Sequence, residues 1–88
     1  MKTKQILLLL VLLTLRHFVI MAHPARDMMV YDIPAGEKIM LSQYSYVAIT
    51  GVRAGGNCHI EWNTMHYPYP EVHHESIVPC SNLNPITQ

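Results

Sequence analysis

Hydrophobicity changes character along the chain. An unbroken apolar run fills residues 6–13 and continues past Thr14 to Leu15, with Lys2 and Lys4 ahead of it and Arg16 and His17 behind. Positive charge followed by a short apolar run is the order of a secretory signal, whereas a membrane-spanning helix needs roughly 20 apolar residues. The pattern predicts a signal peptide over residues 1–22 and no stable membrane insertion. Ala22 is the small residue at the expected cut, just before His23-Pro24, although Ile20 is bulkier than the residue usual two positions upstream. Residues 23–27 are polar and carry Pro24, which predicts a flexible terminus.

From residue 28 the apolar positions are short, β-branched or aromatic, and punctuated by turn residues. Residues 28–33 predict a strand through Val30, Tyr31 and Ile33, closed by the turn Pro34-Ala35-Gly36. Residues 37–41 are a second short candidate. Residues 43–52 are the strongest, with Tyr44, Tyr46, Val47, Ile49 and Val52, and Ala54-Gly55-Gly56-Asn57 then reverses the chain. Cys58, Ile60 and Trp62 next alternate with His59, Glu61 and Asn63, as a half-buried strand requires.

Residues 66–75 hold Tyr67-Pro68 and Tyr69-Pro70, and prolines so close together predict an extended loop. Residues 76–79 can form a last strand that delivers Cys80, and residues 81–88 read as a loose tail. No segment beyond the signal repeats apolar residues at helical spacing over three turns. The expected class is all-β: one small domain over residues 28–80 with about four short strands and no internal repeat. Its core is expected around Trp62, with Val47, Ile49 and Ile60.

Charge and cysteines narrow the picture. Without the signal, Arg26, Lys38 and Arg53 stand against Asp27, Asp32, Glu37, Glu61, Glu71 and Glu75, a formal charge of minus three. Gripping nucleic acid or anionic lipid needs clustered Lys and Arg, so neither is an expected partner. A chain this short has a marginal core unless stapled. Cys58 and Cys80 are even in number and follow a secretory signal, so a disulfide is expected, contributing about 3 to 3.5 kcal/mol in the chain-entropy model. Free thiols holding a metal would favour closer spacing. No Asn-x-Ser/Thr acceptor for glycosylation occurs.

The segment Tyr46-Val47-Ala48-Ile49-Thr50-Gly51-Val52-Arg53-Ala54, after the turn containing Gly36, resembles part of the small secreted insect family named after multiprotein bridging factor two. The likeness spans about ten residues, and Asn57-Cys58-His59 follows where that family would have a glycine-tyrosine-glycine region. The resemblance implies a secreted β domain and transfers no catalytic residue.

Candidate chemistry is sparse. His73, His74, Glu75 and His66 are the residues from which a zinc or copper site could be built, but neighbours in an extended chain point to opposite sides. A chain starting at His23 would add an α-amine beside an imidazole able to chelate copper. Ser42, Ser45 or Ser76 with a histidine and Asp32 or a glutamate could be assembled on paper for hydrolysis, yet no Gly-x-Ser-x-Gly turn is present. Glu71 and Glu75 lie in the proline-containing stretch, without the rigid support catalysis requires.

Tyr44 and Tyr46 are expected to cover one face of the sheet. Tyr67 and Tyr69, in a proline-restricted loop inside the disulfide ring, are the candidate binding residues. The expected function is that of a secreted, non-enzymatic protein contacting an extracellular macromolecule, in defence, secretion or venom, with no cofactor, no catalytic residue and no resident metal. The alternative is a small metal-binding or hydrolytic protein using the loop histidines. A processed hormone would be expected to show a dibasic site or an amidation glycine, and a lytic peptide a basic amphipathic segment; the chain has none of these.

Overall fold

The computed structural model describes residues 19–86. The apolar run of the expected signal lies outside them. Among the described residues there are seven strands: β1 (Ile20–Pro24), β2 (Met28–Asp32), β3 (Glu37–Leu41), β4 (Val47–Arg53), β5 (Asn57–Thr64), β6 (Val72–Pro79) and β7 (Leu83–Pro85), with one 3₁₀ turn at Cys80–Asn82. Five of them make an antiparallel sheet in the order β6-β5-β4-β1-β7, and β2 and β3 make a separate hairpin.

Alternation in β5 sets the architecture. Cys58, Ile60 and Trp62 are buried, while Asn63 is exposed and His59 and Glu61 are half-buried on the other face. The β2–β3 hairpin brings Val30 and Leu41 to the buried side, where they join Ala22, Val47, Cys58, Ile60, Trp62, Val78 and Leu83 in one core. Ile49 packs partly buried against it. The opposite face of the β4–β5–β6 region carries polar residues and is left open.

Turns follow the residues that permit them. Gly55 and Gly56, between β4 and β5, have φ of 81° and 77°, a region that side-chain-bearing residues avoid. Gly36, at φ 70°, donates its amide to the Asp32 carbonyl at 2.8 Å and closes the β2–β3 turn. Cys58 and Cys80 form the disulfide, with Cα atoms 5.0 Å apart, joining the start of β5 to the residue just beyond β6.

The all-β class, the disulfide and most of the expected core are present, but the ends of the chain differ from expectation. The sequence predicts a flexible terminus over residues 23–27 and a loose tail over residues 81–88. Instead His23 and Pro24 belong to β1, Leu83, Asn84 and Pro85 form β7, and the two strands pair with each other. Ala22, the expected cut site, is wholly buried and opposes Val47 of β4 and Pro85 of β7. These two strands, added to the five candidates read from the sequence, bring the count among the described residues to seven, above the expected four or so. Both are too short and proline-bearing to show a strand period, and their order comes from the neighbours they cover.

Two smaller corrections concern residues 43–52 and 66–75. β4 begins only at Val47, so Tyr44 and Tyr46 stand outside the sheet at 82% and 68% exposure rather than covering a face. β6 begins at Val72, so His73, His74 and Glu75 are strand residues and the loop is confined to residues 65–71. Pro70 ends the proline-restricted stretch, and beyond it nothing prevents pairing with β5.

Candidate functional site

The β5–β6 hairpin carries three polar or aromatic features. Its strands pair continuously from Asn57↔Pro79 to Thr64↔Val72, with the disulfide at one end and the loop at the other. In the loop, the Tyr69 amide donates to the His66 carbonyl at 2.7 Å, closing a tight turn around Tyr67 and Pro68, whose peptide is cis. Tyr67 is 97% exposed and Tyr69 72%. The loop tip thus presents two phenol rings, the pair expected from sequence to bind.

The second feature lies on the open face of the hairpin. Glu61 and Glu75 are directly opposed across β5 and β6, and His73 opposes Asn63 one residue pair in from the last one before the loop. His59 Nε2 is 3.7 Å from a Glu75 carboxylate oxygen. His73 Nε2 is 3.2 Å from one of Glu61 and 3.9 Å from one of Glu75. Ligand atoms of His59, Glu61 and Glu75 all lie within 4.8 Å of one another.

Both imidazoles are held through their other nitrogen. His59 Nδ1 is 2.6 Å from the Thr50 hydroxyl and His73 Nδ1 is 2.8 Å from the Asn63 carbonyl oxygen. Thr50 occupies the break in register of β4, where Ile49 pairs with Ile60 and Gly51 with His59. Such bulges re-aim a side chain, here towards the neighbouring strand. Hydrogen bonding from the nearby Thr50 hydroxyl is the main reason the Glu61 carboxyl sits below the usual carboxylate range; partial burial opposes it, and hydrogen bonding with Glu75 and the positive charge of the two imidazoles add to the lowering.

The third feature faces inward. His74 Nδ1 is 2.6 Å from a carboxylate oxygen of the buried Asp32, and His74 Nε2 is 2.7 Å from the Thr64 hydroxyl. The other Asp32 oxygen accepts from the Glu75 amide at 3.3 Å, and the Ile33 amide donates to the Glu75 carbonyl at 2.8 Å. Trp62 stacks on the His74 ring with centroids 5.3 Å apart. This hydroxyl–imidazole–carboxylate chain has the order of a hydrolytic triad. Two shallow grooves are lined one by His23, Pro24, Ala25, Gln43, Tyr44 and Tyr46, the other chiefly by Met21, Tyr46, Thr50, Glu61 and His73, and neither by Thr64 or His74. The bonds instead join the β2–β3 hairpin to β6.

The sequence-derived sets are divided accordingly. His73 and His74 point to opposite faces, as adjacent strand residues must, and His66 is exposed in the loop. Among the described residues no serine hydroxyl bonds a histidine: Ser42 Oγ accepts from the Tyr44 amide, and Ser76 Oγ is buried without a partner. Nothing in the sequence alone marks His59, Glu61 and Thr50 as parts of one site. The two-residue spacing of His59 and Glu61 placed them on one face, but their partners come from β6 and from a bulge that no local signal marks. Comparison with family models, curated proteins and solved structures finds no match for this chain.

Proposed function

We propose that this is a secreted, non-enzymatic protein that binds another protein outside the cell through the loop at residues 65–71. The observation that carries this reading is the exposure of Tyr67 and Tyr69 at the tip of a loop braced on both sides by paired strands. Tyrosine offers large amphipathic contact area with few rotatable bonds and is enriched at interfaces. A loop held by a closed turn has less freedom to lose on binding. Met65, 71% exposed beside it, extends the apolar part of the surface.

Secretion is supported by the signal pattern in the sequence and by the disulfide, which suits an oxidising route. A non-catalytic role is supported by the placing of the Thr64–His74–Asp32 chain, whose members are occupied in joining two parts of the fold and touch neither groove.

Capture from the extracellular fluid of the source tissue tests the proposal. Wild-type protein is compared with the Tyr67→Ala/Tyr69→Ala double variant, both checked for the same unfolding midpoint. A protein retained by the wild type and absent from the variant supports the reading. Identical retention by both contradicts it.

A further inference from the structure

We propose that His59, Glu61, His73 and Glu75 form a binding site for one zinc ion on the open face of the β5–β6 hairpin. Two like charges directly opposed on adjacent strands are unfavourable, yet Glu61 and Glu75 occupy such a pair with an imidazole on either diagonal side. A cation between them reverses the sign of that interaction.

The imidazoles supply an independent reason. With Nδ1–H donating to the Asn63 carbonyl, a neutral His73 turns its Nε2 lone pair towards Glu61 Oε1 at 3.2 Å. An acceptor facing an acceptor at that distance is satisfied by a proton or by a metal ion. His59 repeats the arrangement, its Nδ1 held by Thr50 and its Nε2 facing Glu75. Fixing one ring nitrogen so that the other is presented for coordination is the usual outer support of a zinc-bound histidine.

Distances and ligand types agree. Metal–ligand bonds near 2.0–2.1 Å put neighbouring ligands of a tetrahedral ion about 3.3 Å apart. His59, Glu61 and Glu75 already gather within 4.8 Å of one another, and His73, outside that group but 3.2 Å from Glu61 and 3.9 Å from Glu75, completes the set by turning towards it. Two imidazoles with two carboxylates suit zinc better than calcium or magnesium, which take oxygen ligands. None of the four ligands is the exposed His66.

Calorimetric titration of zinc chloride into the disulfide-bonded protein at neutral pH tests the site. One zinc per chain is expected. His59→Ala and Glu75→Gln should each weaken binding at least about 10-fold, and Asn63→Ala, which removes only the ring support, by about 10- to 100-fold. His66→Ala should leave it unchanged, and unfolding midpoints measured in chelator should show every variant folded. A metal-induced rise in midpoint, present in the wild type and lost in Glu75→Gln, is the second readout. Absence of saturable binding overturns the proposal, as does binding undiminished in His59→Ala or lost in His66→Ala. Neither tyrosine contributes a ligand, so the protein-binding reading stands or falls separately.

Discussion

His74 Nδ1 lies 2.6 Å from a carboxylate oxygen of Asp32, a residue 42 positions earlier on a different sheet. Asp32 is buried and ends β2; His74 is stacked on Trp62, its partner towards the loop end of the β5–β6 ladder. Their bond ties the hairpin to the larger sheet. Removing one partner leaves a buried polar atom of the other unpaired, Asp32 Oδ2 or His74 Nδ1, while its second bond, to the Glu75 amide or the Thr64 hydroxyl, remains; the unpaired atom costs more than the bond itself contributes.

A double-mutant cycle on these two residues should therefore be strongly non-additive. Asp32→Ala and His74→Ala are each expected to destabilise by about 2 to 4 kcal/mol, and the double variant by at least about 1 kcal/mol less than their sum. Chemical denaturation of the four proteins measures this. Additivity within about 0.5 kcal/mol would show that the pair does not act as a clamp.

Ser76 makes the opposite prediction. Its hydroxyl is buried with no hydrogen-bond partner, so Ser76→Ala should leave stability unchanged or raise it by up to about 1 kcal/mol. A loss above about 1 kcal/mol in the denaturation midpoint analysis would mean that the hydroxyl has a stabilising partner.

The disulfide and Trp62 are expected to dominate the stability of so small a core. Cys58→Ser should cost about 2 to 5 kcal/mol and abolish folding at 37 °C. Trp62→Ala should cost about 3 to 5 kcal/mol, since the ring is only 8% exposed and packs within the core cluster. Circular dichroism melting curves decide both. Unchanged curves would place the core elsewhere.

The amino-terminal strand yields a prediction about processing. A cut after Ala22 would remove the residues that pair with Ile49, Ala48 and Val47, together with the Met21 carbonyl that accepts from the Ile86 amide at 2.9 Å. A chain starting at His23 should be less stable than one starting at Val19 by about 2 kcal/mol or more, counting roughly 1 kcal/mol per lost hydrogen bond. Equal unfolding midpoints for the two chains would show that this half of β1 contributes little.

Local chemistry made the centre of this fold legible and its edges not. The alternation Cys58, Ile60, Trp62 against His59, Glu61, Asn63 announces a half-buried strand in the sequence itself, and Gly55-Gly56 marks the turn before it. Ala22 and Leu83 are core residues whose strands are defined by long-range pairing, so nothing in their own neighbourhood signals them. The open-face cluster is partly legible, because His59 and Glu61 share a face by period two. The opposition of Glu61 to Glu75 depends on register, and the contact of Thr50 with His59 depends on a bulge.

The central claim concerns Tyr67 and Tyr69, and the affinity of the captured extracellular partner for loop variants tests it most directly. Tyr67→Ala and Tyr69→Ala should together weaken binding by about 30-fold or more, the loss of about 2 kcal/mol that marks a hot spot, with the unfolding midpoint unchanged. An affinity equal to that of the wild type in the double variant would contradict the account.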